Sequence, residues 1–308
     1  MKPEILLDGT PVLLDGGMGR ELRFRGVEIP ETIWSAGALL SAPDVVRRIH
    51  QDYISAGADI ITTNTYGVIR SDLEKEGLGH RFGELNTLAC TLAWQARENT
   101  GAPVLIAGSL PPLRGSFRPD LVGGFDEIVP LYVEQAELLA PHVDLLLCET
   151  MSSSAEARAA AWAACSTGKP VWVSWTLHED RSGRLRSGET VSRAAKDLAD
   201  LPVTGFLGNC CAPESITAAL PELLDTGARW IGGYANTFSP VPEDWTLGGE
   251  KESDGLLDLR RDLDPERYAE HAARWLDAGA TVAGGCCGTR PAHIARICQL
   301  KDTLSTQP

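Results

Sequence analysis

Three cysteines of this 308-residue chain have a spacing that could bind a catalytic metal ion. Cys286 and Cys287 are adjacent within a glycine-rich segment, and Cys210 follows Asn209 far upstream. Neighbouring side chains on a strand point to opposite faces, so adjacent thiols can bind one metal ion only where the backbone bends, which flanking glycines allow. A third thiol would leave one position of a tetrahedral Zn²⁺ ion open for a substrate. The pattern therefore predicts a catalytic zinc site rather than a closed structural one.

The remaining cysteines give weaker signals. Cys211 adjoins Cys210 and could replace it as a ligand, although we favour a side chain that points away from the metal. The start of the sequence lacks a secretory signal, which indicates a cytoplasmic protein whose cysteines are thiols or ligands rather than disulfides. A lone cysteine is usually a small buried hydrophobic residue, and this is our interpretation of Cys90, Cys148, Cys165 and Cys298.

The elements that must position the three thiols are short apolar segments that alternate with amphipathic ones. The apolar segments are continuous, as in strands buried on both faces. Eight strand–helix units predict an α/β fold, a single (βα)8 TIM-type barrel over residues 1–308 with an insertion after strand seven, residues 236–263. A doubly wound open sheet is the alternative. The predicted strands are residues 12–14, 59–63, 104–109, 144–149, 171–176, 203–209, 229–234 and 280–283.

Helix signals fall between these strands. Residues 41–44 have the Ser-x-x-Asp form of a capping box, which predicts a helix start at that point. Pro213 and Pro291 stand where the helices after strands six and eight should begin. Glycine commonly ends a helix, and the expected helix ends are Gly57, Gly168, Gly227 and Gly279.

Composition excludes two classes of partner. The net charge is −14, whereas a protein that binds nucleic acid needs a basic surface. No run of 18 apolar residues is present, so we expect no membrane-spanning helix. Small-molecule substrates remain as the expected partners, and the sequence does not indicate an oligomeric state.

Polar residues also follow several predicted strands, at the barrel end where catalytic residues lie. Glu149 ends an apolar run and needs a partner, either a salt bridge to an Arg or Lys or the ammonium group of a substrate. Asp15, Gly16 and Gly17 could form a tight turn or a nest of N–H groups for a carboxylate, to which Thr63 could add its hydroxyl. An amino-acid substrate has both an ammonium group for Glu149 and a carboxylate for the N–H groups near Gly16 and Gly17.

The segments that contain these residues resemble the homocysteine S-methyltransferase family, zinc-dependent (βα)8 barrels that convert homocysteine into methionine. The resemblance extends from about residue 12 to residue 297, and the two cysteine motifs are its most specific part. The matching segments are residues 15–19, 63–66, 149–150, 208–210 and 284–289.

The resemblance implies zinc binding by Cys210, Cys286 and Cys287. It also implies that Glu149 binds the ammonium group of homocysteine and that Asp15 lies near the amine or the reacting groups.

Further site residues follow from the same resemblance. Backbone amides near Gly16 and Gly17, together with Thr63, would bind the carboxylate of homocysteine. Tyr66 would line the pocket as an aromatic residue. Asn236 stands in a segment similar to the family's Pro-Asn segment after strand seven, although this chain has Ala235 in place of the proline.

The implied reaction is methyl transfer from a sulfonium donor to the zinc-activated thiolate of homocysteine. We expect no cobalamin or folate modules, and hence the donors of the short branch, S-methylmethionine and, less efficiently, S-adenosylmethionine. One alternative is methylation of another small thiol or selenol such as selenocysteine. The other is a non-catalytic barrel that stores zinc or senses redox state.

Overall fold

Eight short parallel strands form the centre of the molecule. The computed structural model describes residues 10–240 and 258–305. The strands follow one another around the sheet, and a single parallel bridge from Leu14 to Ile60 joins the first strand to the second, which closes the barrel. The strands are β1 (Val12–Leu13), β2 (Ile60–Thr62), β3 (Leu105–Leu110), β4 (Leu145–Met151), β5 (Val171–Thr176), β6 (Val203–Asn209), β7 (Trp230–Ala235) and β8 (Val282–Gly285).

Helices surround this barrel, and none of those that the structure describes is long and apolar enough to cross a membrane. Short 3₁₀ turns occur at Trp34–Ala36, Gly79–Arg81, Pro119–Leu121 and Ala140–His142. The α-helices are α1 (Met18–Phe24), α2 (Gly37–Ser41), α3 (Pro43–Ser55), α4 (Arg70–Lys75), α5 (Phe82–Thr100), α6 (Phe125–Leu139), α7 (Ser154–Ser166), α8 (Val191–Lys196), α9 (Pro213–Leu224), α10 (Pro265–Asp277) and α11 (Pro291–Ser305).

The predicted barrel is confirmed, and every predicted strand is present with its bounds shifted by at most two residues. Of the predicted insertion, residues 241–257 lie outside the described residues. Pro213 and Pro291 begin α9 and α11 as predicted. The predicted helix-end glycines all have positive φ, as the left-handed turn after a helix requires; they are Gly57, Gly168, Gly227 and Gly279.

The helix start predicted at residues 41–44 is confirmed, because α3 begins at Pro43, but the predicted capping box is wrong. Ser41 ends α2, and its hydroxyl donates a hydrogen bond to the carbonyl of Gly37 at 3.2 Å. The next helix, α3, begins at Pro43 after Ala42, which has no side-chain oxygen to accept a hydrogen bond from the backbone. Only Ala42 separates α2 from α3, so the Ser41 side chain is hydrogen-bonded at the end of α2 and does not cap the start of α3.

Large side chains fill the amino-terminal part of the barrel. Trp172 and Trp230 lie near the starts of β5 and β7, and their ring centroids are 5.5 Å apart. Gly205 makes room for them, because a Cβ atom there would lie 2.8 Å from the Trp172 ring. The barrel interior is therefore packed at this end, and space for a ligand remains only toward the carboxyl ends of the strands.

We predict that Gly232→Ala strongly destabilises the folded protein. Gly232 has φ +155°, and an added methyl group would lie 1.8 Å from the carbonyl oxygen of Val282 on the paired strand β8. We expect a loss of more than about 3 kcal/mol in the free energy of unfolding, measured by chemical denaturation. Gly83→Ala in α5 is the control, since its nearest contact is 3.8 Å away and alanine favours the helix by about 0.5–1 kcal/mol. Wild-type stability of Gly232→Ala would contradict the prediction.

Candidate metal and substrate site

The three thiols predicted as metal ligands meet at the carboxyl ends of β6 and β8. The Sγ atoms of Cys210, Cys286 and Cys287 lie within 4.8 Å of one another, and those of Cys210 and Cys287 are 3.8 Å apart. With zinc–sulfur bonds of about 2.3 Å and tetrahedral angles, two ligands of one ion lie about 3.8 Å apart. Across the described ranges, this is the only group of three or more potential ligands at metal-binding spacing.

The two adjacent cysteines come together because the chain turns tightly after β8. The carbonyl oxygen of Cys286 accepts hydrogen bonds from the backbone N–H and the hydroxyl of Thr289, at 3.2 and 2.6 Å. The backbone N–H of Thr237 donates to the carbonyl of Cys287 at 3.0 Å. Gly288 has φ +83°, and a Cβ atom there would lie 2.3 Å from the Thr237 hydroxyl oxygen. The bend predicted from the flanking glycines is therefore present.

Cys210 enters the cluster through an unusual backbone conformation. Its φ is +50°, in the left-handed region that residues other than glycine rarely adopt. The backbone N–H of Cys210 donates to the carbonyl of Tyr234, and the Thr176 hydroxyl donates to the carbonyl of Cys210, both at 3.3 Å. Cys211 then packs in the core between the barrel and the helices, where burial raises the pKa of its thiol well above the usual range.

Asn209 connects this turn to the end of β4. Its side-chain oxygen accepts hydrogen bonds from the backbone N–H of Thr150 at 2.9 Å and from the Ser174 hydroxyl at 2.8 Å. Its side-chain nitrogen donates to the Thr150 hydroxyl at 2.8 Å. Thr150 also has a left-handed backbone, with φ +63°. One buried amide thus fixes Thr150, the strained residue beside Glu149, and directly precedes the second strained residue, Cys210. Sequence reasoning assigned no role to Asn209 or Thr150.

Two buried carboxyl groups face the same space. Glu149 accepts hydrogen bonds from the hydroxyls of Ser109 at 2.5 Å and Tyr234 at 3.1 Å, and burial raises its pKa to about 7. Asp15 accepts one from the backbone N–H of Thr62 at 2.8 Å, and burial raises its pKa to about 8. Neither carboxyl forms a salt bridge within the part of the chain that the structure describes, so the Arg or Lys partner considered for Glu149 is absent there.

A cavity of about 130 Å³, here called the thiol cavity, lies between these groups. Trp34, Phe117 and Tyr234 also line it, and the sequence carried no periodic signal that would have placed them there. Nine of the ten predicted site residues line this cavity: Asp15, Gly16, Gly17, Thr63, Tyr66, Glu149, Cys210, Cys286 and Cys287.

Thr63 and Asn236 have other roles within the structure. The Thr63 hydroxyl accepts a hydrogen bond from the backbone N–H of Ser109 at 3.1 Å and shares another with the Thr65 hydroxyl at 2.9 Å, so it ties β2 to β3. Asn236 is the tenth predicted site residue and does not line the cavity. It is buried, with its N–H bonded to the carbonyl of Cys211 at 3.0 Å and its side-chain oxygen to the N–H of Phe238 at 3.3 Å.

The glycines after β1 are required by close packing. A Cβ atom at Gly16 would lie 2.8 Å from the Tyr53 hydroxyl oxygen, and one at Gly17 would lie 2.7 Å from the carbonyl oxygen of Cys286. The backbone N–H of Gly17 donates to the Thr289 hydroxyl at a long 3.3 Å, and that of Gly16 has no acceptor among the described residues. The Gly16 amide is therefore available to an anionic ligand.

Known proteins are similar to this chain in sequence and in fold. The chain matches a family model described as homocysteine S-methyltransferase over residues 12–300. The homocysteine S-methyltransferase of Escherichia coli strain K12 is 30% identical in an alignment of 312 positions that covers 95% of this chain and 96% of that protein. The crystal structure of the E. coli homocysteine methyltransferase MmuM in its metallated form matches with a TM-score of 0.79 and 28% identity, over 97% of this chain and 99% of that one. Its oxidized form also matches with a TM-score of 0.79, at 27% identity over 96% and 99% of the two chains.

We predict that Asn209→Ala weakens metal binding as well as folding. The substitution leaves the buried N–H of Thr150 without an acceptor, which costs about 1–3 kcal/mol, and releases the turn at Cys210. Zinc affinity, measured by competition with a chromophoric chelator, should fall at least tenfold. Asn86→Ala is the matched control: Asn86 is a buried, hydrogen-bonded amide in α5 and should lose stability alone. Equal zinc affinities in the two variants would contradict the role of Asn209.

Proposed function

This chain belongs to the homocysteine S-methyltransferase family and is a methyltransferase, and we propose that it transfers a methyl group from a sulfonium donor to L-homocysteine, giving methionine. The observation that carries this proposal is the combination of the three-thiol cluster with two buried carboxyl groups, which have no salt-bridge partner among the described residues, around one small cavity. A group that binds a sulfur-activating metal and a group that binds an ammonium ion are both needed for an amino acid that carries a thiol.

We propose that Cys210, Cys286 and Cys287 bind zinc and leave its fourth position for the substrate. Three thiolates are a ligand set that suits zinc, and the 3.8 Å between the sulfurs of Cys210 and Cys287 fits one ion. The metallated form of the E. coli relative supports a metal in this chain as well. When bound, zinc would lower the pKa of a coordinating substrate thiol and so provide a thiolate at neutral pH.

Glu149 and Asp15 would hold the amine of homocysteine. Each carboxyl has a raised pKa because burial disfavours its charge, and an incoming ammonium group would supply the missing cation and favour the ionised form. Hydrogen bonds from Ser109 and Tyr234 keep the Glu149 carboxyl in place. The free N–H of Gly16 would donate to the substrate carboxylate. The Thr63 hydroxyl is already hydrogen-bonded within the protein, so Thr63 would support substrate binding by positioning the ends of β2 and β3.

The proposed transfer is a single displacement. The thiol proton of homocysteine leaves to solvent, and the sulfur attacks the methyl carbon of the donor opposite the bond that breaks. A new sulfur–carbon bond forms while the old bonding pair returns to the donor sulfur, which changes from a sulfonium cation to a neutral thioether. The anionic groups of the cavity attract the cationic donor, and the rings of the half-buried Trp34 and the buried Phe117 limit the access of water, which strengthens that attraction.

We propose S-methylmethionine or S-adenosylmethionine as the donor and the cytoplasm as the compartment. The eight cysteines are unpaired in the structure, as in a reducing environment. A selenol or another small thiol would meet the same groups, so selenocysteine is the alternative acceptor. Membership of a methyltransferase family argues against a barrel that only stores zinc or senses redox state.

We predict that Cys286→Ser and Cys287→Ser abolish methyl transfer without unfolding the barrel. The wild-type protein should methylate homocysteine with S-methylmethionine or S-adenosylmethionine, should not use betaine, and should lose activity with a chelator. Each variant should bind less than a tenth of the wild-type zinc and lose at least 1000-fold in rate, because a missing thiolate removes the metal.

The control for these variants is Cys165→Ser. Cys165 is a half-buried residue of α7 that does not line the thiol cavity and does not belong to the three-cysteine cluster. It should keep zinc and activity. Full transfer by Cys286→Ser or Cys287→Ser would contradict the ligand assignment. A clear preference for selenocysteine over homocysteine, measured by competition at a fixed donor concentration, would replace the proposed acceptor.

We predict that Glu149→Gln weakens homocysteine binding while zinc is retained. Loss of a charged hydrogen bond of about 1.5–3 kcal/mol should raise KM for homocysteine roughly 10- to 100-fold. The matched control is Glu156→Gln, because Glu156 is also buried with a pKa raised to about 7, yet its carboxyl is bonded to Ser152 and does not line the cavity. Unchanged KM in Glu149→Gln would show that the amine binds elsewhere.

A further inference from the structure

A second cavity adjoins the thiol cavity. Its volume is about 460 Å³, and Tyr66 and Ser116 line both spaces. The hydroxyls of these two residues are 2.6 Å apart and share a hydrogen bond. The two cavities are therefore separated by one hydrogen-bonded pair of side chains.

The proposed reaction needs more room than the thiol cavity offers. Small-molecule sites commonly measure about 300–1,000 Å³, whereas this cavity measures about 130 Å³ and would already hold homocysteine. Transfer requires the attacking sulfur and the methyl carbon to approach to about 3–3.5 Å, so the donor must reach the same place from outside. The second cavity is the space from which a donor could do so.

We propose that the second cavity binds the amino-acid end of the methyl donor, with its sulfonium group against the Tyr66–Ser116 wall. This inference rests on the proposed function. Arg114 and Lys75 would bind the donor's carboxylate, and Asp72 would bind its ammonium group; all three residues line the cavity. Both S-methylmethionine and S-adenosylmethionine carry this zwitterionic end.

The charged residues of the second cavity can exchange their present partners for a ligand. Lys75 forms an ion pair with Asp72 at 2.7 Å, and the Lys75 side chain is 66% exposed. Arg114 donates to Glu127 at the surface. Exposed pairs of this kind contribute only about 0–1 kcal/mol. The Arg114 guanidinium has five N–H donors, so it can keep Glu127 and still bind a carboxylate.

The wall between the cavities suits a sulfonium cation. The Tyr66 hydroxyl is hydrogen-bonded to Ser116, so its aromatic ring is the part of the side chain that can contact the donor. Cations are attracted to aromatic rings by about 0.5–2 kcal/mol. Phe117, the next residue after Ser116, packs against Cys210 in the thiol cavity. Transfer then requires the Tyr66–Ser116 hydrogen bond to open, so that the donor's methyl group passes this single layer of side chains and reaches the acceptor sulfur.

The test compares Arg114→Ala and Lys75→Ala with Arg118→Ala. Arg118 belongs to the same loop and pairs with Asp120, but it lines neither cavity. We expect at least a tenfold rise in KM for the donor in Arg114→Ala and a further rise in the double variant, with KM for homocysteine unchanged. Titration calorimetry with S-methylmethionine or S-adenosylmethionine, whichever the wild type uses, should show the same weakening without acceptor. Arg118→Ala should match the wild type, and circular dichroism checks that each variant is folded.

The outcomes separate this inference from the proposed function. Wild-type donor affinity in both Arg114→Ala and Lys75→Ala, in an enzyme that methylates homocysteine, would overturn the donor site and leave the function standing. A rise in KM for homocysteine equal to that for the donor would also overturn it, because the residues would then act on the whole site. Absence of methyl transfer by the wild type would instead reject the proposed function.

Discussion

The side-chain amide of Asn209 holds together the two strand ends on which the site depends. Thr150 and Cys210 both have left-handed backbones, a conformation that costs each about 1–3 kcal/mol unless the surroundings fix it. Asn209 fixes Thr150 with two hydrogen bonds and binds Ser174 with a third, while Cys210 is fixed by its bonds to Tyr234 and Thr176. As a result, Glu149 and the Cys210 thiol are set relative to each other by one rigid connection between β4 and β6.

The electrostatics of the site follow from burial without counterions. Asp15 and Glu149 have pKa values raised to about 8 and about 7, because both carboxyls are removed from water and the described residues offer them no cation. Three thiols add further groups that become anionic on binding a metal. The folded chain therefore carries an excess of acidic groups at the barrel mouth. The proposed ligands are a zinc ion, an ammonium group and a sulfonium donor. All three are cationic, so each of them would reduce the repulsion among the anionic groups of the site.

The two ends of the barrel have different roles, one in stability and the other in ligand binding. Trp172 and Trp230 close the amino-terminal part with packed rings, which leaves the carboxyl ends of the strands for ligands. Two cavities share the Tyr66–Ser116 pair at that end. A division into a small space beside the thiols and a larger one beside exposed charges matches a reaction with two substrates, of which only one needs to contact the metal.

The sequence by itself determined the barrel and most of the candidate site. Continuous apolar runs and helix-ending glycines encode the strand order locally, and Gly284 to Thr289 encodes the turn that joins Cys286 and Cys287. The tertiary structure alone decided that Cys210 rather than Cys211 faces the cavity, since one backbone dihedral, held by hydrogen bonds with Thr176 of β5 and Tyr234 of β7, sets that choice. It likewise decided that Asn236 is buried without lining the cavity and that Glu149 has no salt bridge among the described residues. Such facts depend on contacts between distant segments, which no local pattern of residues records.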